Sequence, residues 1–206
     1  MKMKTNRTLI LNTLLIVIFY SCTPENPTPN PTPTPPTIIA IGESYQGGKI
    51  AYILQPGDIG YDANVPHGII SALNHVAPNA IYAQWGCFGA NMGANGTAIG
   101  TGSQNTNDII NGCNDPGTIG TGSIAARYCG DLVLGGYSDW YLPSKDELNQ
   151  LYINRVAIGD FANLYYHWSS TQSSNDFAWA QSFNNGSQGT YSKSNENINV
   201  RAVRSF

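Results

Sequence analysis

The side chains of this sequence that could do chemistry are few and scattered. Asp139, Asp146 and Glu147 lie close enough to be imagined as paired glycosidase carboxylates, one donating a proton and the other activating water. Asp146 and Glu147, however, follow Ser144 as the first turn of a helix, where a capping box and the helix dipole already account for two acids. His67, His75 and His167 form no His-Glu or His-x-x-x-His pair, so no two of them face a metal from one helical surface. Cys87, within Trp85-Gly86-Cys87-Phe88-Gly89, lacks a recognisable base partner, and no Gly-x-Ser-x-Gly elbow is present. Gly120-Thr121-Gly122-Ser123-Ile124-Ala125 spells G-x-G-x-x-A, but Asn-Asp-Pro-Gly precedes it rather than an apolar strand. Its near-copy, Ile99-Gly100-Thr101-Gly102-Ser103, also opens a helix, and both read as helix-entry turns. No cofactor is expected. An enzyme would need the fold to gather His67, His75, His167 and Asp139 into one concave site.

A more suggestive stretch runs from 184 to 197. It is polar, amide-rich and carries one aromatic residue between two strand-like runs. Amides and carboxylates hydrogen-bond sugar hydroxyls while an aromatic face stacks on the apolar side of the ring. Asn184, Asn185, Tyr191, Asn195, Glu196 and Asn197 are therefore the candidate ligand-binding residues, the alternative being a solvated hairpin loop.

These residues must be positioned by short elements. Strands are expected near 38–41, 49–54 and 67–73, followed by a Gly-rich stretch over 86–102 without clear periodicity. One helix is expected from about Asn105-Thr106 and a second from Ser123. A third follows Pro143, where Ser144-Lys145-Asp146-Glu147 is a capping box and Leu148, Leu151, Tyr152 and Arg155 follow at helical spacing. The period then becomes two: Phe177, Trp179 and Phe183 fall on one face, and 200–206 reads as a closing strand. Strands at both ends of a helical middle predict an α+β fold with antiparallel sheets, not βαβ units.

Lys2, Lys4 and Arg7 precede an apolar run over 9–20, too short to span a bilayer but suited to a signal peptide. It stops at Ser21-Cys22, which predicts a lipoprotein signal over 1–21 and lipidation of Cys22. Residues 22–37 then form a linker with seven prolines, extended at ~3.1 Å per residue and so reaching up to ~45 Å from an anchor. The globular domain is placed at 38–206. Loss of Lys2, Lys4 and Arg7 leaves seven basic against thirteen acidic residues, a net of −6, which disfavours nucleic acid. Sulfated polymers would likewise need a local basic patch. Three cysteines remain in an oxidising compartment, with no C-x-x-C spacing for zinc. A Cys113–Cys129 disulfide is expected, closing a loop with the turn Asn114-Asp115-Pro116-Gly117; Cys87–Cys113 is the alternative.

Gly135-Gly136-Tyr137-Ser138-Asp139-Trp140-Tyr141-Leu142-Pro143-Ser144-Lys145-Asp146-Glu147-Leu148 resembles the Lcl C-terminal domain family, a bacterial domain of unknown function named for the end of a collagen-like adhesin. The likeness continues through Tyr166-His167-Trp168-Ser169-Ser170-Thr171, Ala178-Trp179, Phe183-Asn184-Asn185-Gly186 and Val200-Arg201-Ala202-Val203-Arg204-Ser205-Phe206. The resemblance implies a C-type-lectin-like domain, with paired terminal strands and long irregular loops. The calcium-dependent sugar motifs of true C-type lectins are not present, and with no Cys after Cys129 the chemistry of formylglycine-generating enzymes is excluded.

The block residues read as scaffold. Trp140, Leu142 and Pro143 set the entry to the capped helix of Ser144 and Glu147. Trp168 and Trp179 fill the sheet face, Asp139 belongs to the same structural motif, and Arg201 and Arg204 pair with acids near the terminus. The expected function is non-enzymatic binding of a glycan or extracellular polymer by a surface-exposed or periplasm-facing outer-membrane lipoprotein, touching the membrane through its lipid alone. An envelope structural or protein-interaction module and an enzyme are the alternatives. Trp140→Ala should destabilise the domain by ~3 kcal/mol or more. An unchanged melting temperature for that variant would contradict the scaffold role.

Overall fold

The computed structural model describes residues 39–73, 82–117, 122–161 and 165–206. The signal-like run, Cys22, the Pro/Thr linker, His75 and the first residues of the 120–125 motif lie outside them.

Among the described residues seven strands and four helices follow one another as β1 Ser44–Tyr45, β2 Gly48–Ile53, β3 Gly68–Ser71, α1 Gly102–Gly112, α2 Ala125–Gly130, α3 Lys145–Ile153, α4 Arg155–Ile158, β4 Tyr166–Gln172, β5 Phe177–Ser182, β6 Gln188–Ser192 and β7 Val203–Ser205. The strands form two antiparallel sheets, β1-β2-β3-β7 and β4-β5-β6. The expected α+β class is therefore observed, and the early and late strands do pair: Ile69, Ile70 and Ser71 face Ser205, Arg204 and Val203. This arrangement is compatible with a C-type-lectin-like domain. The expected strand near 38–41 is displaced to Ser44–Tyr45, because residues 41–42 turn and the short β1–β2 hairpin forms beyond them.

Between the sheets the chain relies on hydrogen-bonded aromatic residues. Trp85 and Trp168 are fully buried, and each indole N–H donates to a backbone carbonyl, Ser169 O at 2.9 Å and Ala83 O at 2.8 Å. Neither large ring buries an unpaired donor. Trp140 and Leu142 are buried in the same cluster.

Helix α3 forms as expected. Ser144 Oγ accepts from Glu147 N–H and the Glu147 carboxylate accepts from Ser144 N–H. Helix α1 starts earlier than expected, at Gly102, because Asn105 and Thr106 commit their side chains elsewhere. Asn105 exchanges two hydrogen bonds with the backbone of Gly96, and Thr106 Oγ1 accepts from Leu142 N–H. The two residues cap loops from inside the helix rather than capping the helix itself. Helix α2 starts two residues later than expected, and its preceding residue, Ile124, offers no side-chain cap.

The disulfide joins Cys87 to Cys113, with Cα atoms 5.7 Å apart, and Cys129 is a free, fully buried thiol. This corrects the expected Cys113–Cys129 pair. Loop-closure entropy could not choose between them: the sequence separations of 26 and 16 differ in cost by only about 0.4 kcal/mol. Packing decides instead. Cys113 caps the C-terminus of α1 and meets the turn at Gly86-Cys87, whereas Cys129 sits on α2 within the apolar cluster, where burial pushes its thiol pKa well up.

Lys193 is the least ordinary core residue. Its Nζ donates to Ala90 O at 2.7 Å and Gln172 Oε1 at 3.0 Å and lies 4.5 Å from the centre of the Trp85 ring. Burial lowers its pKa to about 8, against a weaker opposing pull from Asp176.

Two measurements test this core. Alkylation and peptide mapping should link the peptide of Cys87 to that of Cys113, and Cys113→Ala should cost ~3.5 kcal/mol while Cys129→Ala costs about 1 kcal/mol. Above pH 8 the unfolded chain holds the Lys193 proton that the folded one releases, so the Lys193 contribution to stability rises with pH from about 8 towards the ordinary lysine value. Melting temperatures at pH 7.5 and 9.5 should therefore move upward in the native chain relative to Lys193→Met; parallel profiles would refute a depressed Lys193.

Candidate functional site

In the β5–β6 hairpin burial alternates from Phe177 to Ala180, and Gln181 and Ser182 are then both buried. Its register pairs Phe177 with Ser192, Ala178 with Tyr191, Trp179 with Thr190, Ala180 with Gly189 and Gln181 with Gln188. Ala178 and Ala180 are buried, so their small side chains define the inner face, where Trp168 and its neighbours supply the volume. Tyr191 shares that parity. Its ring lies against Tyr166 at 4.7 Å and packs on the core, and burial, with Tyr166 beside it, raises its pKa to about 12.

Phe177, 44% exposed, Trp179, half-buried, and exposed Thr190 take the outer face. Trp179 therefore does not fill the sheet face as expected, and Tyr191 is not the outward aromatic. Phe183 is buried, but it lies just past the end of β5, where the β5–β6 turn begins, and it packs with Phe161 and Tyr152.

Around Trp179 stand hydrogen-bonding groups from three elements, α3, β5 and β6. Lys145, the first residue of α3, holds its Nζ 4.1 Å from the centre of the Trp179 ring. Gln188 Nε2 donates to Lys145 O at 2.9 Å and Gln181 Oε1 at 3.3 Å. Gln181 Nε2 in turn donates to Asn149 Oδ1 at 2.8 Å and Gly186 O at 3.1 Å. The result is an aromatic platform bordered by an ammonium and the half-buried amides of Asn149 and Gln188, which the buried Gln181 links. Such a surface can stack on the apolar face of a ring and hydrogen-bond the hydroxyls around it.

The sequence-predicted ligand residues do not come together. Asn184 and Asn185 stand at the β5–β6 turn, next to the Gln181–Gln188 end, with Asn185 Oδ1 accepting from the Ser187 N–H and hydroxyl. Asn195, Glu196 and Asn197 follow the far end of β6, about 14 Å away at the usual rise of a five-residue strand. There Asn195 Oδ1 accepts from Asn197 N–H at 2.9 Å and Glu196 Oε1 from Gln84 Nε2 at 2.9 Å. The first group borders the platform; the second does not.

The scaffold residues are placed mostly as expected. Asp139 takes a two-pronged ion pair from Arg204 at 2.8 Å through Nε and Nη2, which holds its carboxyl below the usual range. Arg201 differs from expectation. It donates to the carbonyls of Ala72 and Asp160, both at 2.6 Å, and lies over Phe161, and among the described residues it has no ion pair with a carboxylate. Burial lowers its pKa to about 10. Pro143 accepts from Ser170 N–H at 2.7 Å, tying the entry of α3 to β4.

His67 bonds the Phe206 carbonyl and His167 is buried among Phe161, Phe183 and the Tyr165 carbonyl, while Asp139 serves Arg204. The described residues do not gather these three. Among the described residues no group of three His, Cys, Asp or Glu could hold a metal ion, and no helix is long and apolar enough to cross a membrane.

Sequence reasoning missed Lys145, Asn149, Gln181 and Gln188 as site residues and placed Trp179 inside. One signal was available: Ala178 and Ala180 alternate with Phe177 and Trp179, and a face built of alanines packs closely against a neighbouring element while the bulky face is left outside. The family model of the Lcl C-terminal domain matches residues 96–204, from the loop before α1 into β7, and so includes the whole platform. No curated protein matches the chain.

Proposed function

Because this chain belongs to the Lcl C-terminal domain family, we propose that it is a non-enzymatic binding module for a glycan or extracellular polymer, carried by an exported bacterial lipoprotein. The observation that carries the reading is the outward Trp179 ring with Lys145, Gln188 and Asn149 around it, the two amides linked through the buried Gln181. Exposed aromatic residues bordered by fixed amides suit a ligand with alternating apolar and hydroxyl faces. Lys145 also supplies a local cation on a domain whose exported form is net acidic, so acidic saccharides are not repelled from this face. The apolar run, Ser21-Cys22 and the proline-rich tether support anchoring in the outer membrane at Cys22, with the module held in the extracellular or periplasmic medium.

A second reading has its own observation. Ile153 and Val156, at the junction of α3 and α4, are 55% and 88% exposed. Paired exposed aliphatic residues suit a protein partner in the envelope.

A glycan array probed with the purified chain, in calcium and again in chelator, should give specific binding that chelator leaves unchanged. Trp179→Ala should weaken the best ligand by about tenfold or more while the melting temperature stays within a few degrees, since the ring lies outside the buried core. Binding that survives Trp179→Ala would move the site off this face. No binding from folded protein would reject the glycan reading, and cross-linking at Val156 would then be expected to capture an envelope protein.

A further inference from the structure

Each of the two sheets ends in two outer strands, and among the described residues three of these four edges are covered or cut short. β1 is two residues long. β7 exchanges hydrogen bonds with Tyr141 at Val203, at 2.7 and 2.9 Å. Along β4, Trp168, Ser170 and Gln172 donate their backbone N–H groups to Asn199 O, Pro143 O and Ala94 O, at 2.9, 2.7 and 2.7 Å.

The fourth edge, β6, is open. Ser182 N–H donates to Ser187 O and Lys193 N–H to Asp176 O, each at 2.9 Å, and these two bonds fix the phase of the β5–β6 ladder between them. Gly189 and Tyr191 turn their backbone groups to β5, while Gln188, Thr190 and Ser192 turn theirs away from it. Of these six outward groups, Ser192 O accepts from Asn195 N–H at 2.9 Å, and the other five have no hydrogen-bond partner among the described residues. Free edges are ordinarily protected by short length, proline, charge or a bulge. β6 runs for five residues with no proline and no charged side chain. Its register with β5 is unbroken, whereas those of β2–β3 and β4–β5 shift.

We propose that two copies of this chain pair antiparallel along β6 about a two-fold axis, joining their three-stranded sheets into one of six strands. The edge is complementary to itself. Centred on Thr190, the pairing sets Thr190 opposite Thr190 of the copy and Gln188 opposite Ser192 at both ends, so every outward residue enters a hydrogen-bonded pair. A slip of two residues either way leaves one of them unpaired. No like charges meet between the two strands, and β-branched threonines face each other at the axis. The antiparallel order also sets the Gln188 end, which is bonded to the Lys145 carbonyl, against the end of the copy that leads to Glu196, so opposite charges flank the seam. Trp179 is the cross-strand partner of Thr190. Both outer faces therefore lie on one side of the joined sheet, with the two Trp179 backbones three strand spacings, ~14 Å, apart. The pairing rests on the edge alone and holds whether or not that face binds a glycan.

The test uses the full chain. Residues opposed in a hydrogen-bonded pair have Cα atoms about 5.5 Å apart, within reach of a disulfide, so Thr190→Cys should give a covalent dimer on mild oxidation. Ser192→Cys should not, because the two copies of that position are offset by ~14 Å along the strands. In sedimentation the native chain should pass from monomer to dimer as its concentration rises from about 10 μM to about 1 mM, as suits so small an interface. Thr190→Pro removes an outward N–H and no bond to β5. It should keep the melting temperature within a few degrees of native and weaken association by about tenfold or more. If Thr190→Pro fails to fold, the contrast between the two cysteine variants still decides. Equal cross-linking of Thr190→Cys and Ser192→Cys, association that Thr190→Pro leaves unchanged, or a native chain that stays monomeric throughout would overturn the proposal, the last leaving the edge to an extended peptide of another protein.

Discussion

The carboxylate of Glu147 is the constraint on which most of the architecture depends. It is a buried carboxyl with neutral donors as partners, and three of those donors are backbone N–H groups at helix starts: Gly100 and Gly102 at α1 and Ser144 at α3. A buried carboxylate must collect such donors or bear its desolvation unrelieved, so the two helix starts are forced to converge on one point. The convergence is so close that a Cβ on Gly102 would collide with Glu147 Oε2, which explains a glycine at the opening of α1 without any appeal to unusual dihedral angles.

The remaining structure is arranged outward from that point. Ser144 Oγ donates to Ala98 O at 2.9 Å, Lys145 N–H to Thr171 Oγ1 at 3.0 Å, and Thr106 joins Gly102 to Leu142, so the loop before α1, the entry to α3 and strand β4 become one unit. Lys145 is thereby delivered to the face of Trp179 and its carbonyl to Gln188. On the other side of the same carboxylate lies an apolar cleft lined by Ile99 and Phe206. One capping interaction thus serves two surfaces, and the polar core around Trp85, Trp168 and Lys193 is closed by carbonyls and amides rather than by opposite charges.

Much of this was legible locally. The capping box at Ser144–Glu147, the antiparallel α+β class and the burial of Trp140, Leu142 and Trp168 all follow from spacing and side-chain type, since caps and amphipathic periods are local physics. Half of the proposed platform was harder to see. Period two marks a face but does not say which face is inward, and the aromatic residues were placed on the wrong side: the alanines go in because Trp168 occupies the space they leave. The start of α1 escaped because Asn105 and Thr106 have partners, Gly96 and Leu142, that are distant along the chain or on another element.

The sequence by itself determined the antiparallel α+β class, the cap of α3, the composition of the polar segments and the acidic balance of the chain, because these depend on composition and on neighbours a few residues apart. Tertiary structure alone decided that Cys87 rather than Cys129 meets Cys113, that Arg201 ends on carbonyls while Arg204 finds Asp139, and that Asn184 and Asn197 lie at opposite ends of a hairpin. Loop entropy varies too slowly with length to rank disulfides, and charge pairing along a sequence carries no direction in space. Those choices are made by which surfaces pack together, and packing is a property of the whole core.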